Sequence, residues 1–158
     1  MFGRDSSMIR RIALSTFILL STPVMAATGW GNLNNWIGHY PDENLGPAGS
    51  QLLAVPAIKA TLQQILPATD LQALDKHYTL ADQVSQVGHY ILADYCTAHD
   101  CGASNVTIVL DQNSTNLWVA FFSHRGRLVS TRWYGTADYV ELPMDVQNAV
   151  IAVHRPAN

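Results

Sequence analysis

The chain has only two cysteines, and they stand close together in Cys96-Thr97-Ala98-His99-Asp100-Cys101. Between them lie a histidine and an aspartate, side by side. These residue types at this spacing allow several kinds of chemistry. Reduced thiols and an imidazole are zinc ligands, but the spacing matches no common zinc motif. A thiolate is a nucleophile and a redox group, but only while unpaired. His99 beside Asp100 has the makings of a general base with its orienting carboxylate. Adjacent residues rarely point toward one another in that way, and no nucleophile accompanies them. If the cysteines pair instead, the six residues close into a covalent ring with an imidazole and a carboxylate at its tip. Such a ring is either a structural loop or a rigid display for another protein.

The N-terminus bears on the choice. Met8-Ile9-Arg10-Arg11 is a short basic start, Ile12 to Val24 is an almost uncharged apolar run, and Val24-Met25-Ala26 offers small or modest residues for cleavage. This pattern predicts a secretory signal over residues 1–26, with cleavage after Ala26. The run is shorter than the roughly 20 residues of a comfortable membrane span. The expected location is the periplasm, and no membrane partner is expected for the mature form. In an oxidising compartment Cys96 and Cys101 are expected to form a disulfide.

Composition agrees with a folded, exported chain. Hydrophobic residues make up 48% and charged residues 13%, which suits one packed domain and not a disordered segment. Loss of residues 1–26 removes Arg4, Arg10, Arg11 and Asp5 and takes the formal charge from −3 to −5. An acidic protein is a poor binder of nucleic acid and a suitable partner for a basic protein.

Other catalytic patterns are absent. The chain has no Gly-x-Ser-x-Gly elbow, no phosphate-binding glycine loop, no His-Glu-x-x-His and no Cys-x-x-Cys. His39, His77, His89, His124 and His154 are scattered, and Glu43 and Glu141 are isolated. No catalytic residue, metal or cofactor is expected. Asn105-Val106-Thr107 and Asn113-Ser114-Thr115 are glycosylation sequons, relevant only to a eukaryotic secretory route.

The elements that must hold the ring follow from periodicity. Residues 27–49, rich in Gly, Asn, Trp and Pro, predict an irregular arm whose Trp30 and Trp36 cover a core edge or serve an interface. Ile58, Leu62, Ile65 and Leu66 recur at helical spacing behind Pro56, predicting a helix over 56–66. Thr69 is placed to cap a second helix over about 70–77. Strands are predicted over 87–95, 105–111, 117–122 and 128–134, with turn chemistry between them, and a last helix over 143–153. The order α-α-β-β-β-β-α over a domain at 50–158 predicts an α+β fold. Its sheet is an antiparallel meander of four to five strands with flanking helices, expected on one face. Cys96 then ends the first strand and Cys101 precedes the second, so the ring is a hairpin tip. Closing so short a loop stabilises by only about 2 kcal/mol through chain entropy, and its main effect is local shape.

A Cys-x-x-His-Asp-Cys loop between two strands of an exported chain resembles the family of inhibitors of vertebrate lysozyme, the Ivy family. Leu52-Leu53-x-x-Pro56-x-x-Lys59-Ala60 and Arg132-Trp133-Tyr134-Gly135 are similar to that family too, and the likeness runs over roughly residues 50–153. It implies a periplasmic protein, often a homodimer, that blocks lysozyme or a related peptidoglycan-cleaving glycosidase. On this likeness the loop Cys96, Thr97, Ala98, His99, Asp100, Cys101 enters the catalytic cleft, His99 is the inserting residue and Asp100 supports the loop and its contacts. The implied partner is a basic hydrolase, and the protein itself is no enzyme. The best-characterised members carry Lys-Pro where this chain has Thr97-Ala98. The alternative is therefore an Ivy-fold binding or immunity protein against a different cell-wall hydrolase or a lytic transglycosylase.

Overall fold

A computed structural model describes residues 29–126 and 128–154; residues 1–26, where a secretory signal is expected, lie outside them. Three helices accompany one sheet: α1 (Pro56–Ile65), α2 (Ala68–Lys76), β1 (Leu80–Ala81), β2 (Ser85–Val87), β3 (Tyr90–Cys96), β4 (Ser104–Asp111), β5 (Leu117–Arg125), β6 (Leu128–Gly135) and α3 (Met144–Val153). The long strands pair in the order β3-β4-β5-β6, every pair antiparallel. The short strands β1 and β2 lie one after the other along the outer edge of β3, opposite Cys96–Tyr95 and Leu92–Tyr90. The α+β meander expected from the sequence is present, enlarged to six strands.

The helices flank both faces of the sheet, not one. Successive side chains of a strand point to opposite faces. Ile91, Val106, Ile108, Leu110, Val119 and Phe121 pack with Ile58 and Leu62 of α1, Leu74 of α2, and Trp30, Leu33 and Trp36 of the arm. The alternate residues Leu92, Val109, Trp118 and Ala120 pack with Val146 and Val150 of α3. Two-sided burial is why β3, β4 and β5 read as nearly unbroken apolar runs.

Three boundaries differ from the sequence expectation for identifiable reasons. Gly88 has φ +60° and makes a two-residue turn with His89, so Val87 belongs to β2 and β3 starts at Tyr90. Helix α2 starts at Ala68, not Asp70, because the Pro67 carbonyl already accepts from Leu71 N–H at 2.9 Å. Thr69 therefore lies inside the first turn and caps nothing. Strand β5 runs on to Arg125, and Gly126 (φ +62°) turns the chain directly after it.

The arm is built of 3-10 turns, and both tryptophans are buried in it, Trp36 to 1% exposure. Trp30 Nε1 donates to the Asp111 carbonyl at 2.9 Å, pinning the arm to the end of β4. They cover the core, the first of the two roles open to them. The Arg-Trp-Tyr-Gly stretch closes the other end. Arg132 and Tyr134 share one face of β6, and both reach Asp70 of α2. Trp133, on the other face, stacks on Tyr139 with ring centroids 5.4 Å apart. Gly135 lies so close to Trp118 that a Cβ there would sit 2.7 Å from its Cδ1.

Candidate functional site

The β3–β4 hairpin ends in the ring. Cys96 and Cys101 are joined by a disulfide with Cα atoms 4.8 Å apart. The ladder continues one rung past the strands, with Thr97 N–H donating to the Ser104 carbonyl at 3.1 Å. Asp100 N–H then donates to the Thr97 carbonyl at 2.9 Å, closing a four-residue turn, Thr97-Ala98-His99-Asp100. His99 is its third residue and has φ +67°. A positive φ at that position is the mark of a type II turn, where glycine or asparagine is usual and a histidine is strained. The cost is of the order of 1 kcal/mol, and such strain collects at functional sites. His99 is exposed, so the turn presents its imidazole to solvent at the end of the hairpin.

The return half of the tip is tied through Asp100. Its carbonyl accepts from Ala103 N–H at 3.0 Å and Ser104 N–H at 2.9 Å. Among the described residues its carboxylate has no hydrogen-bond or ion-pair partner, so Asp100 supports the loop by its main chain and leaves its charge free. Two side chains the sequence did not single out complete the frame. Asn105 Nδ2 donates to the Cys101 carbonyl at 3.1 Å. Ser104 Oγ receives Thr97 Oγ1 and donates to Tyr78 Oη, both at a long 3.4 Å. The neighbouring hairpin leans on the tip as well, through His124 N–H to the Ala103 carbonyl at 2.8 Å.

Below the tip, on the face covered by α3, lies a buried polar group of three. Asp94 and Thr107 are cross-strand partners, and the Thr107 hydroxyl donates to the Asp94 carboxylate. His154, at the end of α3, places Nε2 3.0 Å from the same hydroxyl. A hydroxyl has one proton, so with that proton on Asp94 the imidazole is the donor. His154 is 4% exposed and stacks on Phe122 at 5.0 Å. Burial raises the Asp94 carboxyl to about 6, the bond from Thr107 opposing and the charge of Asp82 adding to the rise. Burial lowers the His154 imidazole to about 4.

A cavity of about 780 Å³ lies between α1, α2 and β1, lined by Leu53, Lys59, Leu71, Asp75 and Tyr78 among others. None of residues 96–101 lines it. The six loop residues named from the sequence form the tip, half-buried at Cys96 and Thr97 and exposed from Ala98 to Cys101, and their thiols are consumed in the disulfide. What the site can offer chemically is an exposed imidazole on a hydrogen-bonded turn and a carboxylate beside it.

The fold and the tip define a protein that presents a preformed, disulfide-closed loop from a rigid two-sided sheet. The family model described as Inhibitor of vertebrate lysozyme (Ivy) matches residues 57–153, and the chain belongs to that family. No curated protein and no solved structure matches the chain significantly.

Proposed function

We propose that the protein is an exported inhibitor of lysozyme or a related peptidoglycan-cleaving glycosidase, and that it acts by inserting the Cys96–Cys101 tip into the catalytic cleft. The observation that carries this is His99, exposed at φ +67° on the apex of a disulfide-closed hairpin. Membership of an inhibitor family supports it. A retaining glycosidase, of which lysozyme is the type case, holds two carboxyl groups about 5 Å apart. A cationic imidazole donates from nitrogens on opposite sides of a flat ring and serves both at once, displacing the water and sugar the enzyme needs. A tip already in its bound shape loses little entropy on docking. A mature charge of −5 steers a basic enzyme toward it, and a periplasmic location puts the protein where such enzymes arrive.

Residual lysis of cell-wall substrate by a vertebrate-type lysozyme, titrated with mature protein, tests the function. Inhibition saturating at stoichiometry is expected; full activity at stoichiometry rejects it. His99→Ala is expected to weaken inhibition at least a hundredfold, the scale of losing a desolvated charged anchor. A variant as potent as the parent rejects the mechanism while leaving the function standing.

A second target class is favoured by one observation. Thr97 is half-buried and turns its hydroxyl back onto Ser104, so this flank of the tip offers no cation to a partner. The same titration against a lytic transglycosylase decides between a lysozyme and a bacterial cell-wall hydrolase as the better fit.

A further inference from the structure

We propose that Asn105 is a positioning residue for His99, fixing the loop by a hold that the disulfide does not supply. The inference rests on the tip being the inhibitory element. Asn105 stands opposite Cys96 in the β3–β4 register, and its side chain grips the carbonyl of Cys101 at 3.1 Å. One residue therefore faces the start of the ring across the ladder and holds its end. The disulfide fixes the separation of the two cysteines but not the direction of the peptide plane that follows Cys101. The next residue is Gly102, with open space around its α-carbon, so nothing steric sets that plane. The bond from Asn105 does. From there the chain runs back through Asp100, whose carbonyl accepts from Ala103 and Ser104 and whose N–H donates to Thr97.

Asn105 is 5% exposed, so the donor side of this part-buried bond is held inside the sheet. Its orientation is determined: a carbonyl accepts, so the Nδ2 end must face Cys101. Its Oδ1 is buried without a partner among the described residues, which costs stability. The gain from an amide here lies in the bond its donor makes to the loop. Burial also removes Asn105 from any surface role as a sequon, and Thr107 of the same triplet is fully buried.

The test uses the mature protein, Asn105→Ala, His99→Ala and the double variant, with a vertebrate-type lysozyme as probe. Losing this hydrogen bond is expected to speed dissociation about tenfold in Asn105→Ala. It is expected to add nothing in the His99→Ala background, since Asn105 acts only through that residue. In the free protein the amides of Thr97, Asp100 and Ala103 are expected to exchange about tenfold faster, with β5 amides unchanged. Asn105→Leu, which fills the volume without a donor, replaces the alanine variant if that one does not fold. Equal effects in both backgrounds, or loop exchange like the parent's, overturn the proposal. If the parent does not bind lysozyme, the function fails, and exchange alone decides whether Asn105 holds the loop.

Discussion

The hydroxyl of Tyr134 donates to the carboxylate of Asp70 at 2.6 Å and so fastens β6 to α2 across 64 residues of chain. Arg132 reaches the other oxygen of the same carboxylate at 3.1 Å, but its side chain is 55% exposed. The two bonds should therefore differ in weight. Tyr134→Phe is expected to cost about 1 kcal/mol, as for a hydrogen bond to a charged acceptor in a half-buried site. Arg132→Ala should cost less, since exposed ion pairs contribute little. Urea midpoints of the two variants check this, and a larger loss for Arg132→Ala would count against it.

Gly135 is set by contact. A methyl group there would meet the Ala137 carbonyl oxygen at 2.7 Å and Trp118 at 2.7 Å. Gly135→Ala is expected to destabilise by about 1–3 kcal/mol, the range for forcing extra volume into packed structure. Thermal unfolding reads the loss, and an unchanged Tm would show that β6 shifts freely.

Ala98 occupies the second position of the tip turn, before the positive-φ residue His99. Proline is favoured there in a type II turn, and among the described residues the Ala98 N–H makes no backbone hydrogen bond that would be lost. Ala98→Pro is expected to stabilise the tip by about 0.4–1 kcal/mol, through fewer open-loop states. Slower dissociation from the inhibited enzyme by several-fold is the matching functional outcome. Weaker inhibition by the proline variant would mean that the bound turn differs from the free one.

The buried trio makes stability respond to acid in two opposed ways. The Asp94 pKa is raised to about 6 from 3.8, so its contribution is present at low pH and lost as pH rises through about 6. The His154 pKa is lowered from 6.5 to about 4, so its contribution is present at high pH and lost as pH falls through about 4. Between about pH 4 and pH 6 the native state takes up a proton at Asp94 while the unfolded state takes one up at histidine. The two effects largely cancel in that window. Asp94→Asn should expose the histidine effect alone: its stability should fall from pH 6.5 toward pH 4 while the parent's changes little. Denaturation midpoints across that range check it.

Reduction of Cys96–Cys101 separates tip from frame. The bridge spans five positions and closes one hairpin, so its loss costs only about 2 kcal/mol of chain entropy. The sheet, packed on both faces, is expected to stay folded by circular dichroism while inhibition weakens. Cooperative unfolding on reduction would contradict this.

The sequence shows the elements that periodicity controls. α1, α3, β4 and β6 fall within one or two residues of where apolar spacing and proline place them, and the cysteine spacing locates the tip. What it hides is set by contacts between distant residues. The one-faced arrangement of helices came from reading helices and strands as segregated blocks; the uninterrupted apolar run Leu117–Phe122 already signalled a sheet covered on both faces. Gly88, read as part of a strand, was the one local sign of the β2–β3 turn. Asn105 looked like a sequon because its partner, Cys101, becomes its neighbour only when β4 pairs with β3. Strain at His99 has no sequence signal, since nothing in the residue types requires a histidine to take a positive φ.

Gly88 and Gly126 turn two hairpins tightly, while the tip at residues 97–103 is wider and internally bonded. A tip tied at both ends and mounted on a sheet packed on both faces keeps one width and one reach. Under the proposed insertion such a tip would work as a gauge: clefts whose walls and carboxylates match its dimensions would be stopped, and those that are wider or shallower would pass. The range of hydrolases held in check would then be written into the spacing of the enzymes' own acids and not into any adaptability of the tip.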